Sequence, residues 1–410
     1  MQRLQLLQSH LCINLFAHLE EAPADPILGT TLACSRDTSP RKIDLGVGTY
    51  RTDEGQPFVF TAVREAERRI LGNHTKEYLP IDGLERFNTL VRDLLFGADS
   101  LAVAEGRVAS IQTISGTGSL RVGAEFLSAN LRIPAVYVPR PTWDNHFGLF
   151  GRAGLFVREY PYWNAETKDV DFAGLMNALR NAATGSVIVL HGCAHNPTGI
   201  DPTPEQWRSI ADVMENRNLI PYFDVAYQGF ATGDLAADAW SLRYFVSRGF
   251  NLLASQSFEK NFGLYGEPIG ALHVVCQDAP TAAKVVSQVK LVIRPLYSSP
   301  SLHAALIVSS ILGDVQLRQQ WEKELKTLAG RIQGIRTQLI AELQGLPAYC
   351  SILSKQVGMF SYTGLNPTQC HKLISKWHCY LLLNGRVSLA GLNSSNLKYF
   401  AQALLDVAGK

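Results

Sequence analysis

The sequence predicts an α/β protein: a largely parallel, buried sheet followed by a smaller α+β part. Three observations carry this. Short apolar runs alternate with stretches of helical spacing through the middle of the chain. Those runs are continuous rather than alternating, as in strands covered on both faces. From Val315 a long charged helical pattern then breaks the alternation.

The runs at 108–114, 135–138, 187–191, 219–224 and 252–257 read as strands. Between the first two, Leu120, Ala124 and Leu127 stand at i, i+4 and i+7, one face of a helix. Strands separated by helices form parallel pairs, with the helices packed on the sheet faces. From about 315 to 346 one helix carries Trp321, Leu325, Leu328, Ile332, Ile335 and Leu339 on its apolar side. Beyond it, 358–362 and 380–383 read as strands. We therefore expect a large domain over 57–327. The small domain is expected to combine 1–56 with 328–410, an N-terminal arm plus the C-terminal α+β part.

Composition agrees with a large core. Of 410 residues, 46% are hydrophobic and 18% charged, far from a disordered composition. Lys plus Arg number 38 against 36 Asp plus Glu, so the net charge is +2. That balance removes the electrostatic case for nucleic acid or an anionic membrane surface. No run of about 18 apolar residues is present to span a bilayer. The 7 cysteines are scattered, with no C-x-x-C pair, so neither a disulfide framework nor a metal site is expected. The N-terminal stretch 4–16 is interrupted by Gln5, Gln8, Ser9, His10 and Asn14, and Arg3 is the only basic residue before Glu20. This suits neither a signal peptide nor a transit peptide, and a cytoplasmic location is expected.

The polar punctuation falls at strand ends. Ser115-Gly116-Thr117-Gly118 follows the first strand and opens a helix, where free N–H groups attract a phosphate. Asn196-Pro197-Thr198-Gly199 follows the third strand, Asp224 ends the fourth with Tyr227 beyond it, and Lys260 follows the fifth. Taken singly, a turn, a helix cap and a surface lysine account for them. In a parallel sheet, however, ligands sit at the carboxyl ends of the strands. An anion cup, an Asn, an Asp, a Tyr and a Lys converging there form the set pyridoxal phosphate requires.

From about residue 43 onward the chain resembles the class I aminotransferases, specifically the cytoplasmic aspartate aminotransferases. The matching segments are 45–53 (LGVGTYRTD), 141–146 (PTWDNH), 195–207 (HNPTGIDPTPEQW), 224–230 (DVAYQGF) and 260–265 (KNFGLY). The resemblance implies the fold type I architecture of pyridoxal-phosphate enzymes: a mostly parallel seven-stranded sheet with a smaller α+β domain. It also implies a homodimer with shared active sites, and an N-terminal arm over the neighbouring subunit.

By the same resemblance Lys260 is the Schiff-base lysine and proton carrier, and Asp224 the partner of the pyridine nitrogen. Tyr227 and Asn196 donate to the phenolic oxygen, and Trp143 stacks on the ring. Ser115, Gly116, Thr117 and Ser257 contact the phosphate, with Tyr78 reaching across from the other subunit. Arg386 grips the substrate α-carboxylate beside Gly48, Trp143 and Asn196, and Arg294 reaches the side-chain carboxylate from the partner. Two guanidinium forks suit dicarboxylates. The implied reaction is L-aspartate plus 2-oxoglutarate to oxaloacetate plus L-glutamate, by a ping-pong route.

Three positions depart from that pattern. Pro268 stands eight residues after Lys260, where the family has a phosphate-binding arginine; Glu259 replaces a small residue and Ser299 an asparagine. Proline offers neither charge nor an N–H. These changes imply weaker hold on the phosphate and lower turnover, which an arginine at 268 would relieve. They also keep open a catalytically poor structural homologue or dimer partner. Aspartate racemisation is a further alternative, needing a second acid that the sequence does not identify.

Overall fold

The computed structural model describes residues 15–409. Seven strands form one sheet: β1 (Val108–Thr113), β2 (Val136–Arg140), β3 (Val157–Pro161), β4 (Val187–His191), β5 (Ile220–Val225), β6 (Leu252–Ser257) and β7 (Gly270–Val275). Their order is β1-β7-β6-β5-β4-β2-β3. β7 runs antiparallel to both its neighbours, and the other pairs are parallel. The sheet is thus mixed but mostly parallel.

All five strands expected from the apolar runs are in it, and the two it adds explain their own omission. β3 is an edge strand reading VREYP with Arg158 and Glu159 exposed, so it has no apolar run to detect. β7 is fully buried, but its run is broken by His273. That imidazole is accommodated by Ser110 Oγ at 2.8 Å and Gln256 Oε1 at 3.0 Å.

Helix α1 (Ser115–Asn130) packs Leu120, Val122, Ala124 and Leu127 onto the sheet. Its approach is set by Gly123, where a Cβ would stand 1.9 Å from Tyr222 Oη. Only glycine lets the helix backbone come that close to the buried Tyr222 phenol. Helix α2 (Ala279–Tyr297) flanks β1 and α1. Helix α3 (Val315–Glu342) buries the six expected apolar residues and ends four residues earlier than the sequence pattern, in a turn at Leu343.

The C-terminal part holds an antiparallel pair, β8 (Phe360–Tyr362) with β9 (Arg386–Ser388). The strand expected at 380–383 shortens to Cys379–Tyr380, which pairs in parallel with Ile43–Asp44. This pairing joins the N-terminal segment to the C-terminal part. We propose the division at 57 and 327 on that basis, although one apolar cluster from Phe60 through Trp321 to Phe400 crosses it. No helix of the described residues is long and apolar enough to cross a membrane.

Candidate active site

A cavity of about 670 Å³ opens at the carboxyl ends of β1, β2, β4, β5 and β6, with Phe360 and Arg386 of the C-terminal part on its other wall. Around it stand Gly48, Ser115, Gly116, Thr117, Trp143, Asn196, Asp224, Tyr227, Ser257, Lys260 and Arg386. Of the residues expected in the site, only Tyr78 and Arg294 lie elsewhere. The Tyr78 side chain is 84% exposed, and Arg294, exposed in the last turn of α2, donates to Ser298 Oγ. The Lys290–Asp82 ion pair, at 2.9 Å, ties the segment following Tyr78 to α2. Part of the N-terminal segment, Asp25 to Leu28, also lines this chain's own cavity.

Asp224 is no helix cap. Its Oδ2 accepts from His146 Nε2 at 3.0 Å, and the hydrogen bonds behind it fix the protonation. The Asn196 backbone N–H can only donate, and it does so to His191 Nδ1 at 3.1 Å. Neutral His191 therefore carries its proton on Nε2 and gives it to Thr142 Oγ1 at 3.2 Å. The Thr142 hydroxyl is left to donate to His146 Nδ1 at 2.8 Å, so His146 is protonated on Nε2. Burial drives the His191 pKa well below its usual value, with His195 and His146 adding repulsion, so its neutral form prevails. His195 is sandwiched between Tyr162 and His191, with ring centroids 3.7 and 4.2 Å away. The outcome is a carboxylate held as an acceptor toward the cavity.

On the opposite wall Arg386 is 3% exposed. It donates to the Gly46 carbonyl at 2.5 Å and to Asn196 Oδ1 at 3.2 Å, and its Cζ lies 4.2 Å from the centre of the Phe360 ring. Its Nε is buried without a partner, and no carboxylate pairs with it among the described residues. Burial lowers its pKa to about 10, so the guanidinium is still charged at neutral pH. Asp144, lining the same cavity, attracts it without forming an ion pair; a charge so buried is costly, and a carboxylate entering the cavity relieves it. Because Asn196 Oδ1 faces a pure donor, the amide NH₂ is left free to donate. The loop beneath is clamped by Asp201, whose carboxylate accepts from the Ala194 and His195 N–H groups at 2.7 and 2.8 Å.

Lys260 projects from the loop after β6, its Nζ 5.0 Å from the centre of the Tyr265 ring. Desolvation lowers its pKa, Glu259 opposes that, and Arg386 reinforces it. Desolvation raises the Tyr227 phenol, which stays protonated and able to donate. At the start of α1 Ser115 has φ of +69°, and a Cβ on Gly116 would meet Ser257 Cβ at 2.7 Å, so glycine keeps that turn against β6. Here Glu259 takes a hydrogen bond from the Ser115 hydroxyl.

An amine, a carboxylate, a phenol donor, an amide donor and a helix N-terminus thus share one cavity with an unpaired guanidinium. This donor set fits pyridoxal phosphate at its ring and aldehyde ends. At the phosphate end the start of α1 is in place, with Glu259 already on the Ser115 hydroxyl and the Thr117 N–H on Ser115 Oγ. Sequence reasoning assigned no role to His146, His191, Thr142 or Asp201. His146 and Thr142 did lie within the matched segment 141–146, and Asp201 within 195–207, which was the signal available; His191 lay in none.

The family description "Aminotransferase class I and II" matches residues 40–404. "Aspartate aminotransferase 1" of Medicago sativa is 51% identical over 395 residues, covering 95% of this chain and 94% of that protein. "Aspartate aminotransferase, cytoplasmic" of Oryza sativa subsp. japonica is 49% identical over 395 residues, 95% of this chain and 97% of its own length. Among solved structures, an aromatic-amino-acid aminotransferase of Burkholderia pseudomallei, covalently bound to pyridoxal phosphate, superimposes with a TM-score of 0.93. It is 40% identical and covers 96% of this chain and 100% of its own. With that match running through every strand of the sheet and both walls of the cavity, the chain belongs to the class I and II aminotransferases.

Proposed function

We propose that the protein transfers the amino group of L-aspartate to 2-oxoglutarate, giving oxaloacetate and L-glutamate, with pyridoxal phosphate as cofactor. The observation that carries this is the buried, unpaired Arg386 guanidinium facing the same cavity as Lys260 and Asp224. Bound there, the cofactor supplies an electron sink for the pair left when an amino acid loses its Cα proton.

The chain's residues do the rest. Asp224, held as an acceptor by the His146 relay, would favour a protonated ring nitrogen. Tyr227 and the free amide N–H of Asn196 would donate to the ring oxygen, and Trp143 would cover the ring. Lys260, its amine depressed by burial, is the base that takes the Cα proton and returns it. Arg386 grips the α-carboxylate as a bidentate fork and fixes which Cα bond faces the lysine.

A dicarboxylate needs a second cation, and we assign it to Arg294 of a second copy. Arg294 and Tyr78 sit exposed on a surface that also presents Leu291 and Leu296, so a homodimer completes the site. A cytoplasmic location goes with this reading, supported by the rice relative's name. Neither racemisation nor a catalytically poor homologue is favoured by the comparisons.

The test is purified protein saturated with pyridoxal phosphate, given L-aspartate and 2-oxoglutarate, with oxaloacetate and glutamate measured. Stoichiometric appearance of both, absent in Lys260→Ala, is expected. Cofactor on Lys260 with no amino transfer overturns the reading.

A further inference from the structure

The cup at the start of α1 is already engaged by an anion of the chain itself. Ser115 Oγ gives its single proton to the Glu259 carboxylate and accepts from Thr117 N–H at 3.1 Å. Ser257 Oγ accepts from the Glu259 N–H at 3.4 Å. No ion pair of Glu259 is found among the described residues. The cations of the cavity are directed elsewhere: Arg386 to Gly46 and Asn196, Lys260 toward Tyr265, and Arg152 lies exposed at the rim. Near the cup on the other side, Gly270 lies so close that a Cβ would be 2.5 Å from the Ser115 carbonyl oxygen. The residues leading to it bring no positive charge: Pro268 has none, and Glu267 faces His303 at 3.7 Å.

We propose that Glu259 is a built-in occupant of the anion cup, so that this chain discriminates only weakly between phosphorylated and unphosphorylated pyridoxal. The proposal rests on the cofactor reading given above. A phosphate ester carries −1.5 to −2 charges near neutral pH. To bind, it must displace the carboxylate from Ser115 and then remain beside it. Helix N–H groups return part of that cost, and Lys260 attracts Glu259 without pairing with it, but no cation forms an ion pair with the carboxylate to cancel the repulsion between the two anions. A ligand without the phosphate meets no such opposition and keeps every contact at the ring end.

The experiment compares the Kd values of pyridoxal phosphate and pyridoxal for the apo-protein by equilibrium absorbance and fluorescence titration. Wild type is expected to favour the phosphate by about tenfold or less. Glu259→Gln, which can still hydrogen-bond Ser115, is expected to tighten pyridoxal phosphate by roughly 10- to 100-fold and leave pyridoxal unchanged. Glu259→Ala should act in the same direction. As a readout without cofactor, millimolar inorganic phosphate should raise the Tm of the Gln variant and not that of wild type.

Equal tightening of both ligands, or no change in either, overturns the proposal. So does a wild-type preference of a thousandfold or more. Borohydride trapping separates the two levels. Cofactor mass on Lys260 with an unchanged affinity ratio sinks the proposal alone, and no mass on Lys260 sinks the cofactor reading with it.

Discussion

His146 Nε2 donates to Asp224 Oδ2 at 3.0 Å, and the donor that dictates this arrangement is a backbone N–H two histidines away, on Asn196. The relay commits the proton on His146 toward the carboxylate without charging either histidine. Asp224 does the electrostatic work in the cavity, and His146 is a positioning residue. Asp224→Ala should lower kcat by about 10²–10³, the scale of a lost preorganised electrostatic partner. His146→Ala should cost about 1 kcal/mol, roughly fivefold, and alter the pH profile of kcat. Steady-state kinetics across pH check both, and an effect of His146→Ala equal to that of Asp224→Ala would refute the division of roles.

Arg386 holds the Gly46 carbonyl and Asn196 at once, which fixes the plane of its fork. Lysine has a single charged nitrogen and cannot reproduce that plane. Arg386→Lys should reduce kcat/KM for aspartate by roughly 10²-fold, and Arg386→Ala by more, on the scale of about 3–5 kcal/mol for breaking a buried pair. Both amino-acid and keto-acid substrates should suffer alike, since each carries the carboxylate Arg386 grips.

Much of this was legible in the sequence, for physical reasons. Buried parallel strands must be continuous apolar runs, and the groups ending them must meet at one edge. Ser115, Asn196, Asp224 and Lys260 could therefore be brought together before any coordinates. β3 escaped because an edge strand needs no apolar run, and β7 because His273 breaks one. The relay from Asn196 to His146 was hidden, since it depends on contacts between residues 49 apart in sequence, Thr142 and His191. Glu259 was visible as a departure from the family, but the direction of its carboxylate was not. Arg386 was read only through resemblance: in the sequence it looks like any surface arginine, and its burial is what distinguishes it.

His273 carries a pH signature. Desolvation lowers its pKa from 6.5 to about 3, with Arg92 assisting. Between those values the unfolded chain binds more protons than the folded one. The stability it contributes is therefore fully present above pH 6.5 and is lost as pH falls toward 3. At pH 5.5 the loss is on the order of 1 kcal/mol from this one residue. Glutamine can still bond Ser110 and Gln256 but does not titrate. His273→Gln should lower Tm at pH 7.5 yet show a shallower decline than wild type between pH 7 and 5.5. Parallel curves in thermal melts would show that His273 does not carry the acid sensitivity.

Arg294 and Lys260 supply a test of subunit sharing that needs no dimer structure. If Arg294 serves its own chain, mixing Lys260→Ala with Arg294→Ala protein yields only defective sites. If it serves the partner, each hybrid dimer has one doubly broken site and one intact site, because the chain that keeps Lys260 receives Arg294 from the chain that keeps the arginine. Random pairing makes half of the dimers hybrids. Co-refolded mixtures should then recover about a quarter of the wild-type aspartate activity, while either variant alone stays near background. Phenylalanine, lacking the side-chain carboxylate, should respond little to Arg294→Ala and so serves as the internal control. Recovery with aspartate, matched by hybrids isolated through two different affinity tags, would locate the second carboxylate site across the interface; no recovery would assign Arg294 to its own chain's site, and full aspartate activity of Arg294→Ala alone would leave it the ordinary surface role it has in the isolated chain.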